Sequence, residues 1–127
     1  MARPPSILIV DDHIDSAKML SRILERKGYS VATATDGHKA IERVKESPFD
    51  LTFMDVKMPG MNGLETYRRI KEIRPEAVVV MMTAYDVDDL IRTAIGERAH
   101  GAIYKPLNIQ EVLALVERAA KGVTSKR

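Results

Sequence analysis

The sequence contains no cysteine and no tryptophan. Without cysteine the chain cannot build a disulfide scaffold, a thiolate zinc site or a cysteine nucleophile. The longest aliphatic and methionine run, residues 77–82, is far shorter than the roughly 20 residues that a membrane helix needs. The first residues, Met-Ala-Arg-Pro-Pro, lack the apolar core of a signal peptide. We therefore expect a soluble, cytoplasmic protein that does not enter a membrane.

The charges are nearly balanced, and no large basic surface is expected. The chain of 127 residues has 20 Lys and Arg against 18 Asp and Glu, a formal charge of +2. The excess comes from the two ends, which carry Arg3, Lys121, Lys126 and Arg127. The remainder carries 16 − 18 = −2, with the two signs interspersed along the chain. This pattern predicts no direct binding of nucleic acid.

Short apolar runs alternate with segments of helical periodicity. The predicted strands are residues 6–10, 29–35, 50–55, 77–83 and 102–104. The predicted helices span residues 12–27 and 62–74, begin also at Asp36, Asp86 and Asn108, and are bounded by Gly28, Ser47-Pro48 and Pro75. Strands that alternate with helices predict one α/β domain, a doubly wound parallel sheet covered by helices on both faces.

Polar residues follow most of the predicted strands. They are Asp11, Asp12, Asp55, Thr83 and Lys105. In a doubly wound sheet, ligands bind beyond the carboxyl ends of the strands, so these side chains are expected to converge there. Three converging carboxylates repel each other unless a cation offsets their charge, and an oxygen-only ligand set suits Mg²⁺, or Mn²⁺ in its place. With a lysine and a hydroxyl nearby, the set predicts phosphoryl chemistry at an aspartate.

Four segments together resemble the receiver domain of two-component response regulators. They are ILIVDD at residues 7–12, MDVKMPGMNG at 54–63, MMTAY at 81–85 and YKP at 104–106. The resemblance implies a three-layer (βα)5 sandwich of flavodoxin-like topology with strand order 2-1-3-4-5. It also implies a receiver domain at residues 6–120, between an N-terminal extension (1–5) and a C-terminal tail (121–127).

The resemblance assigns a role to each residue of the site. Asp55 would accept a phosphoryl group from the phosphohistidine of a sensor histidine kinase or a histidine phosphotransfer protein. Asp12 would bind Mg²⁺ directly and Asp11 mainly through water, with Asp55 and the backbone carbonyl of Lys57 as further ligands. The chain would thus be a phosphoacceptor switch that promotes its own phosphorylation and dephosphorylation, and not an enzyme with an external substrate.

The resemblance also implies how the switch responds. Thr83 would hydrogen-bond the phosphoryl oxygens and Lys105 would pair with them, since the new dianion offers both a partner that they lack in the free state. The ring of Tyr104 would turn inward when Thr83 moves, and the bond from Lys105 to Pro106 would be cis. The fourth helix, fifth strand and fifth helix would form the signalling face and a surface for a homodimer.

Two side chains near the predicted site extend this interpretation. Lys57 lies two residues after Asp55, and Tyr85 lies two after Thr83. Both would overhang the path of the water that hydrolyses the aspartyl phosphate, and we hypothesise that Tyr85 shields the phosphate. The three histidines, His13, His38 and His100, lack the spacing of a zinc helix and are expected on the solvated surface.

Three alternatives use the same fold class. A phosphatase of the haloacid dehalogenase type needs a second aspartate two residues after the nucleophile, where this chain has Lys57. A flavin or nucleotide binder needs a glycine-rich loop after the first strand, where Asp11 and Asp12 would repel phosphate. An inactive receiver-like scaffold is disfavoured because the acidic pair, Asp55, Thr83 and Lys105 are all present.

Overall fold

The computed structural model describes residues 4–83 and 88–125. Its strands are β1 (Ser6–Val10), β2 (Ser30–Ala34), β3 (Leu51–Asp55), β4 (Val79–Thr83) and β5 (Gly101–Tyr104). Its helices are α1 (Ile14–Arg26), α2 (Gly37–Glu46), α3 (Gly63–Ile73), α4 (Asp88–Gly96) and α5 (Ile109–Ser125). Strands and helices alternate along the described chain, as the apolar pattern predicts.

All five strands run parallel in the order β2-β1-β3-β4-β5. Chain order reverses on either side of β1, because β2 lies beside one edge of β1 and β3 beside the other. Ligands bind at such a switch point in doubly wound sheets. The predicted three-layer (βα)5 fold and its strand order are confirmed.

Two apolar cores lie on opposite faces of the sheet, because successive side chains of a strand point to opposite faces. Leu8 and Val10 of β1 pack with side chains of α2, α3 and α4. Ile7 and Ile9 of the same strand pack with side chains of α1 and α5. The continuous apolar sequence of β1 therefore reflects burial on both faces.

Some helix ends differ from the predicted ones. α1 begins at Ile14, two residues after the predicted start, because His13 has extended backbone angles as the N-cap. α5 begins at Ile109, directly after the predicted start at Asn108, and continues through Ser125. Asp86, the predicted start of the fourth helix, lies outside the described residues.

The turn between β3 and α3 holds the end of β3 tightly. The N–H of Gly63 donates to the carbonyl of Val56 at 2.7 Å, and a Cβ on Gly63 would clash with the backbone carbonyl oxygen of Asp55. Asn62 and Glu65 form a capping box: the Asn62 side chain accepts from the N–H of Glu65 at 2.9 Å, and Glu65 accepts from the N–H of Asn62 at 3.1 Å. This turn fixes the backbone directly after Asp55.

Candidate functional site

The structure brings Asp11 and Asp55 together at the carboxyl edge of the sheet. Asp55 is the last residue of β3, and Asp11 directly follows β1, the neighbouring strand. The side chain of Asp11 is 4% exposed and that of Asp55 is 5% exposed. Two carboxylates at this depth require cations or hydrogen-bond donors close by.

Lys105 supplies the nearest described cation to both carboxylates. It follows β5, and its Nζ lies 3.2 Å from Oδ2 of Asp11 and 3.4 Å from Oδ2 of Asp55. The ammonium therefore bridges two acids that would otherwise repel each other. The expectation that Lys105 lacks a partner in the free state is wrong, because its ammonium already pairs with the carboxylates of Asp11 and Asp55.

The environment of Asp55 changes its acidity. Burial raises the pKa of Asp55 from its usual value near 3.8 to about 6, with Lys105 opposing the rise and the carboxylate of Asp11 adding to it. Near neutral pH the carboxyl group is thus mostly ionised, and its charge is poorly solvated. A carboxylate in this state is a competent nucleophile and a strong attractor of cations.

Asp12 lies on the more open side of the same site, with its side chain 26% exposed. Its Oδ1 atom is buried and accepts no hydrogen bond from the described part of the chain. A buried carboxylate oxygen without a donor is costly unless a cation or water reaches it. A bound cation or a water molecule would satisfy this oxygen.

His13 adjoins the acidic pair, and its place in the chain directly after Asp12 is the only signal that could have predicted this contact. Its backbone N–H donates to Oδ1 of Asp11 at 2.9 Å, and its ring Nδ1 lies 3.3 Å from the same oxygen. Nδ1 is also 3.4 Å from Oδ1 of Asp12, while the side chain as a whole is 69% exposed. His38 and His100 are exposed, as expected.

The donor set fits a divalent cation. Asp11, Asp12, His13 and Asp55 each offer one ligand atom, and these atoms all lie within 4.8 Å of one another. Carboxylate oxygens are the ligands that Mg²⁺ prefers, and the unpartnered oxygen of Asp12 is the kind of atom that an ion would satisfy. Lys57, whose backbone carbonyl is the predicted further ligand, is exposed on the loop after β3.

Thr83 and Tyr104 are opposite each other at the ends of β4 and β5. Thr83 is buried and Tyr104 is partly buried. The N–H of Lys105 donates to the carbonyl of Thr83 at 2.7 Å, which ties the two strand ends together. The bond from Lys105 to Pro106 is cis, as predicted. Tyr85 lies outside the described residues.

The C-terminal end of α4 is anchored to α3. Arg68 donates to the Glu97 carboxylate through Nε at 2.7 Å and Nη2 at 2.6 Å, and the hydroxyl of Tyr67 donates to the Glu97 carbonyl. On α4 itself Ile91 is buried, whereas Ile95 is 45% exposed. Ile95 is therefore an exposed apolar residue on the outer surface of α4.

An apolar groove opens beside the acidic site, between α1 and the segment that joins β5 to α5. Met19 and Leu107 line it, together with Asp11 and Lys105 of the acidic site. Met19 is 66% exposed and Ile14, on the same helix, is 54% exposed. Exposed apolar side chains next to a reactive site are typical of a surface that meets a partner.

A helix that spans a membrane must be long and strongly apolar. None of the helices in the described ranges is long and apolar enough to cross a membrane.

Residues 7–117 match the family model of the response regulator receiver domain. Together with the fold and the acidic site, this match shows that the chain belongs to the response regulator receiver domain family of two-component systems.

Curated relatives of this chain differ in length. The chain is 34% identical to the chemotaxis protein CheY of Thermotoga maritima over 116 residues, which cover 91% of this chain and 97% of that protein. It is 38% identical to the transcriptional regulatory protein ZraR of Escherichia coli over 113 residues, which cover 89% of this chain. The chain spans only 26% of the length of ZraR.

Solved structures agree with this assignment. A response regulator receiver domain protein from Clostridium thermocellum superposes with a TM-score of 0.88 at 26% identity, covering 94% of this chain and 97% of that one. A chain described as adenylate cyclase from Rhodopirellula baltica gives a TM-score of 0.89 at 30% identity, covering 97% of this chain and 94% of that one.

Proposed function

We propose that this chain is a phosphoacceptor switch that takes a phosphoryl group onto Asp55. The donor would be the phosphohistidine of a sensor histidine kinase or a histidine phosphotransfer protein. The observation that carries the proposal is the contact of the buried Asp55 carboxylate with Lys105 Nζ at 3.4 Å, next to Asp11. A nucleophilic oxygen and a cation for the incoming phosphoryl charge thus share one site.

The transfer would follow from the chemistry of these side chains. An oxygen of the ionised Asp55 attacks phosphorus as the phosphorus–nitrogen bond breaks, and the donor imidazole leaves with the electron pair. Lys105 stabilises the charge on the transferred phosphoryl oxygens. Asp55, at a pKa of about 6, is mostly ionised at pH 7 and needs no base to activate it.

The acidic side of the site would hold Mg²⁺. Asp12 would ligate it directly, Asp11 mainly through water, and Asp55 and the backbone carbonyl of Lys57 would complete the protein's share. The unpartnered Oδ1 of Asp12 supports this assignment. The bound ion supplies positive charge that offsets the repulsion between carboxylates and phosphoryl oxygens.

The modified site would signal through its neighbours. Lys105 would exchange its contacts with the two aspartates for the phosphoryl oxygens, and Thr83 would turn its hydroxyl toward them. Because Thr83 and Tyr104 face each other across β4 and β5, a movement of Thr83 changes the space available to the Tyr104 ring. The resulting change would be read on the face formed by α4, β5 and α5.

That face is also the proposed surface for a homodimer. Ile95, 45% exposed on α4, offers an apolar contact for a second copy or another partner. We do not propose direct nucleic-acid binding by this chain.

The groove beside Met19 is the proposed landing site of the phosphodonor. A donor histidine must reach Asp55, and the groove is lined in part by Asp11 and Lys105, which lie next to Asp55. The exposed side chains of Ile14 and Met19 would pack against apolar side chains of the donor protein.

Phosphorylation by a small donor tests the chemistry without a partner protein. The chain is incubated with acetyl phosphate, with Mg²⁺ or with EDTA, and then treated with hydroxylamine, which cleaves acyl phosphates. We expect incorporation that requires Mg²⁺ and is removed by hydroxylamine. Incorporation that resists hydroxylamine would place the phosphoryl group on another residue type and contradict the proposal.

A further inference from the structure

The open side of the acidic site is bounded by an imidazole. Lys105 contacts Oδ2 of Asp11, so that Oδ1 of Asp11 faces His13 instead. His13 Nδ1 is 3.3 Å from that Oδ1 and 3.4 Å from Oδ1 of Asp12, whose oxygen accepts no hydrogen bond from the described residues. One nitrogen and two carboxylate oxygens therefore form a compact set of potential ligands.

We propose that His13 is a metal ligand, so that the site binds divalent transition-metal ions such as Zn²⁺ and Co²⁺ more tightly than Mg²⁺. The inference rests on the metal site of the proposed function and concerns which ions that site prefers. Imidazole nitrogen suits Zn²⁺ and similar ions, whereas Mg²⁺ takes oxygen ligands almost exclusively.

The distances favour this type of ion. Two ligands about 2.0 to 2.1 Å from a tetrahedral ion lie about 3.4 Å apart, whereas neighbouring ligands of an octahedral Mg²⁺ ion lie about 3.0 Å apart. The separations of His13 Nδ1 from the two oxygens, 3.3 and 3.4 Å, match the first spacing. All four side chains of the site offer atoms within 4.8 Å, and the exposed ring of His13 has room to move closer to an ion.

Helix capping does not explain the position of the imidazole. His13 is the N-cap of α1, yet its side chain caps no backbone N–H, a task for which Ser, Thr, Asp and Asn are preferred. Its backbone is held by the bond from its N–H to Oδ1 of Asp11 at 2.9 Å. The backbone therefore places the His13 ring beside Asp11 and Asp12, and its Nδ1 lies against their carboxylates.

Titration calorimetry with Zn²⁺ and with Mg²⁺, on the full chain without a phosphodonor, tests the proposal. The variants are His13→Gln, His13→Asn, which can cap α1, and His38→Gln, a matched control for an exposed histidine on α2. We expect both His13 variants to bind Zn²⁺ at least tenfold more weakly than the parent and Mg²⁺ within twofold of it. His38→Gln should change neither affinity.

Co²⁺ absorption gives a direct view of the ligands. With Co²⁺ bound, the parent should show the intense ligand-field bands of a four-coordinate ion. His13→Gln should show the weak bands of a six-coordinate ion with oxygen ligands. Equal Zn²⁺ affinity in the parent and both His13 variants would overturn the proposal. An equal loss of affinity for Zn²⁺ and for Mg²⁺ in the variants would overturn it too, because His13 would then only hydrogen-bond Asp11. A parent that binds neither ion would overturn the proposed metal site as well.

Discussion

The ammonium of Lys105 lies 3.4 Å from Oδ2 of Asp55, and 94 residues separate Lys105 from Asp11, the second acid that it contacts. This bridge stabilises a pair of buried carboxylates in the unmodified protein. It also keeps a cation in place beside the proposed phosphoacceptor. The same contact therefore serves the resting fold and the proposed transfer.

Removing the Lys105 charge should impair phosphorylation. In Lys105→Met the pKa of Asp55 should rise above about 6, because the ammonium that lowers it is lost. Incorporation from acetyl phosphate with Mg²⁺ should slow by roughly 10²-fold, the usual effect of losing one charge-stabilising group. Lys105→Arg should retain more of the rate than Lys105→Met. Equal rates for the parent and Lys105→Met would refute the role of the ammonium.

Stability should depend on pH through Asp55. Its pKa is raised from 3.8 to about 6 in the folded state, so the folded state binds the proton more tightly than the unfolded one. The contribution of Asp55 to the free energy of unfolding is therefore most favourable below pH 4, and it falls by about 2 kcal/mol between pH 4 and pH 6.

Asp55→Asn should not show this pH-dependent decrease in the free energy of unfolding, because asparagine does not titrate. In urea unfolding with EDTA present, the stability of Asp55→Asn relative to the parent should increase by about 2 kcal/mol from pH 4 to pH 8. Asp36→Asn, which keeps an N-cap on α2, is the control and should show no such trend. A stability difference between Asp55→Asn and the parent that stays constant over this range would count against a raised pKa.

Gly63 should tolerate no side chain. In Gly63→Ala the new Cβ would meet the carbonyl oxygen of Asp55 and the Cα of Val56, so the turn after β3 must shift. We expect a loss of about 1 to 3 kcal/mol in the free energy of unfolding. Gly101→Ala is the matched control, since nothing lies within 4 Å of its added Cβ. Equal stabilities for the two variants would show that the turn is not packed as described.

The groove on α1 should matter for a protein donor and not for a small one. With any histidine kinase that phosphorylates the parent, Met19→Glu should slow transfer by about tenfold, because it places a charge in an apolar contact. Its phosphorylation by acetyl phosphate should be unchanged. Ile95→Glu alters another exposed apolar residue, on α4, and should leave transfer intact. Slower transfer in Ile95→Glu than in Met19→Glu would contradict this prediction and indicate that the donor contacts α4 instead.

Much of the fold and of the site could be predicted from the sequence. The alternation of apolar runs and helical segments fixes a parallel sheet, and residues at the carboxyl ends of its central strands must then be neighbours. This is why Asp11 and Asp55 could be placed together in advance. Lys105 follows the edge strand β5, and its long side chain reaches both carboxylates from the same end of the sheet.

Other features depend on side-chain orientation, which periodicity does not report. The Nδ1 of His13 faces the acids because α1 begins at Ile14, which leaves His13 outside the helix as its N-cap. The bond from the N–H of His13 to Oδ1 of Asp11 then fixes the His13 backbone. The bidentate pair of Arg68 and Glu97 joins residues from α3 and the loop after α4, whose relative placement is set by packing. The partners of Lys105 in the unmodified state follow from the local charge balance, which the spacing of motifs does not show.

Asp55 is the residue that should carry the phosphoryl group. Intact mass spectrometry after treatment with acetyl phosphate and Mg²⁺ tests this on the parent, Asp55→Asn and the control Asp36→Asn. We expect one added phosphoryl mass on the parent and on Asp36→Asn, and none on Asp55→Asn. Equal labelling of Asp55→Asn and the parent would contradict this expectation.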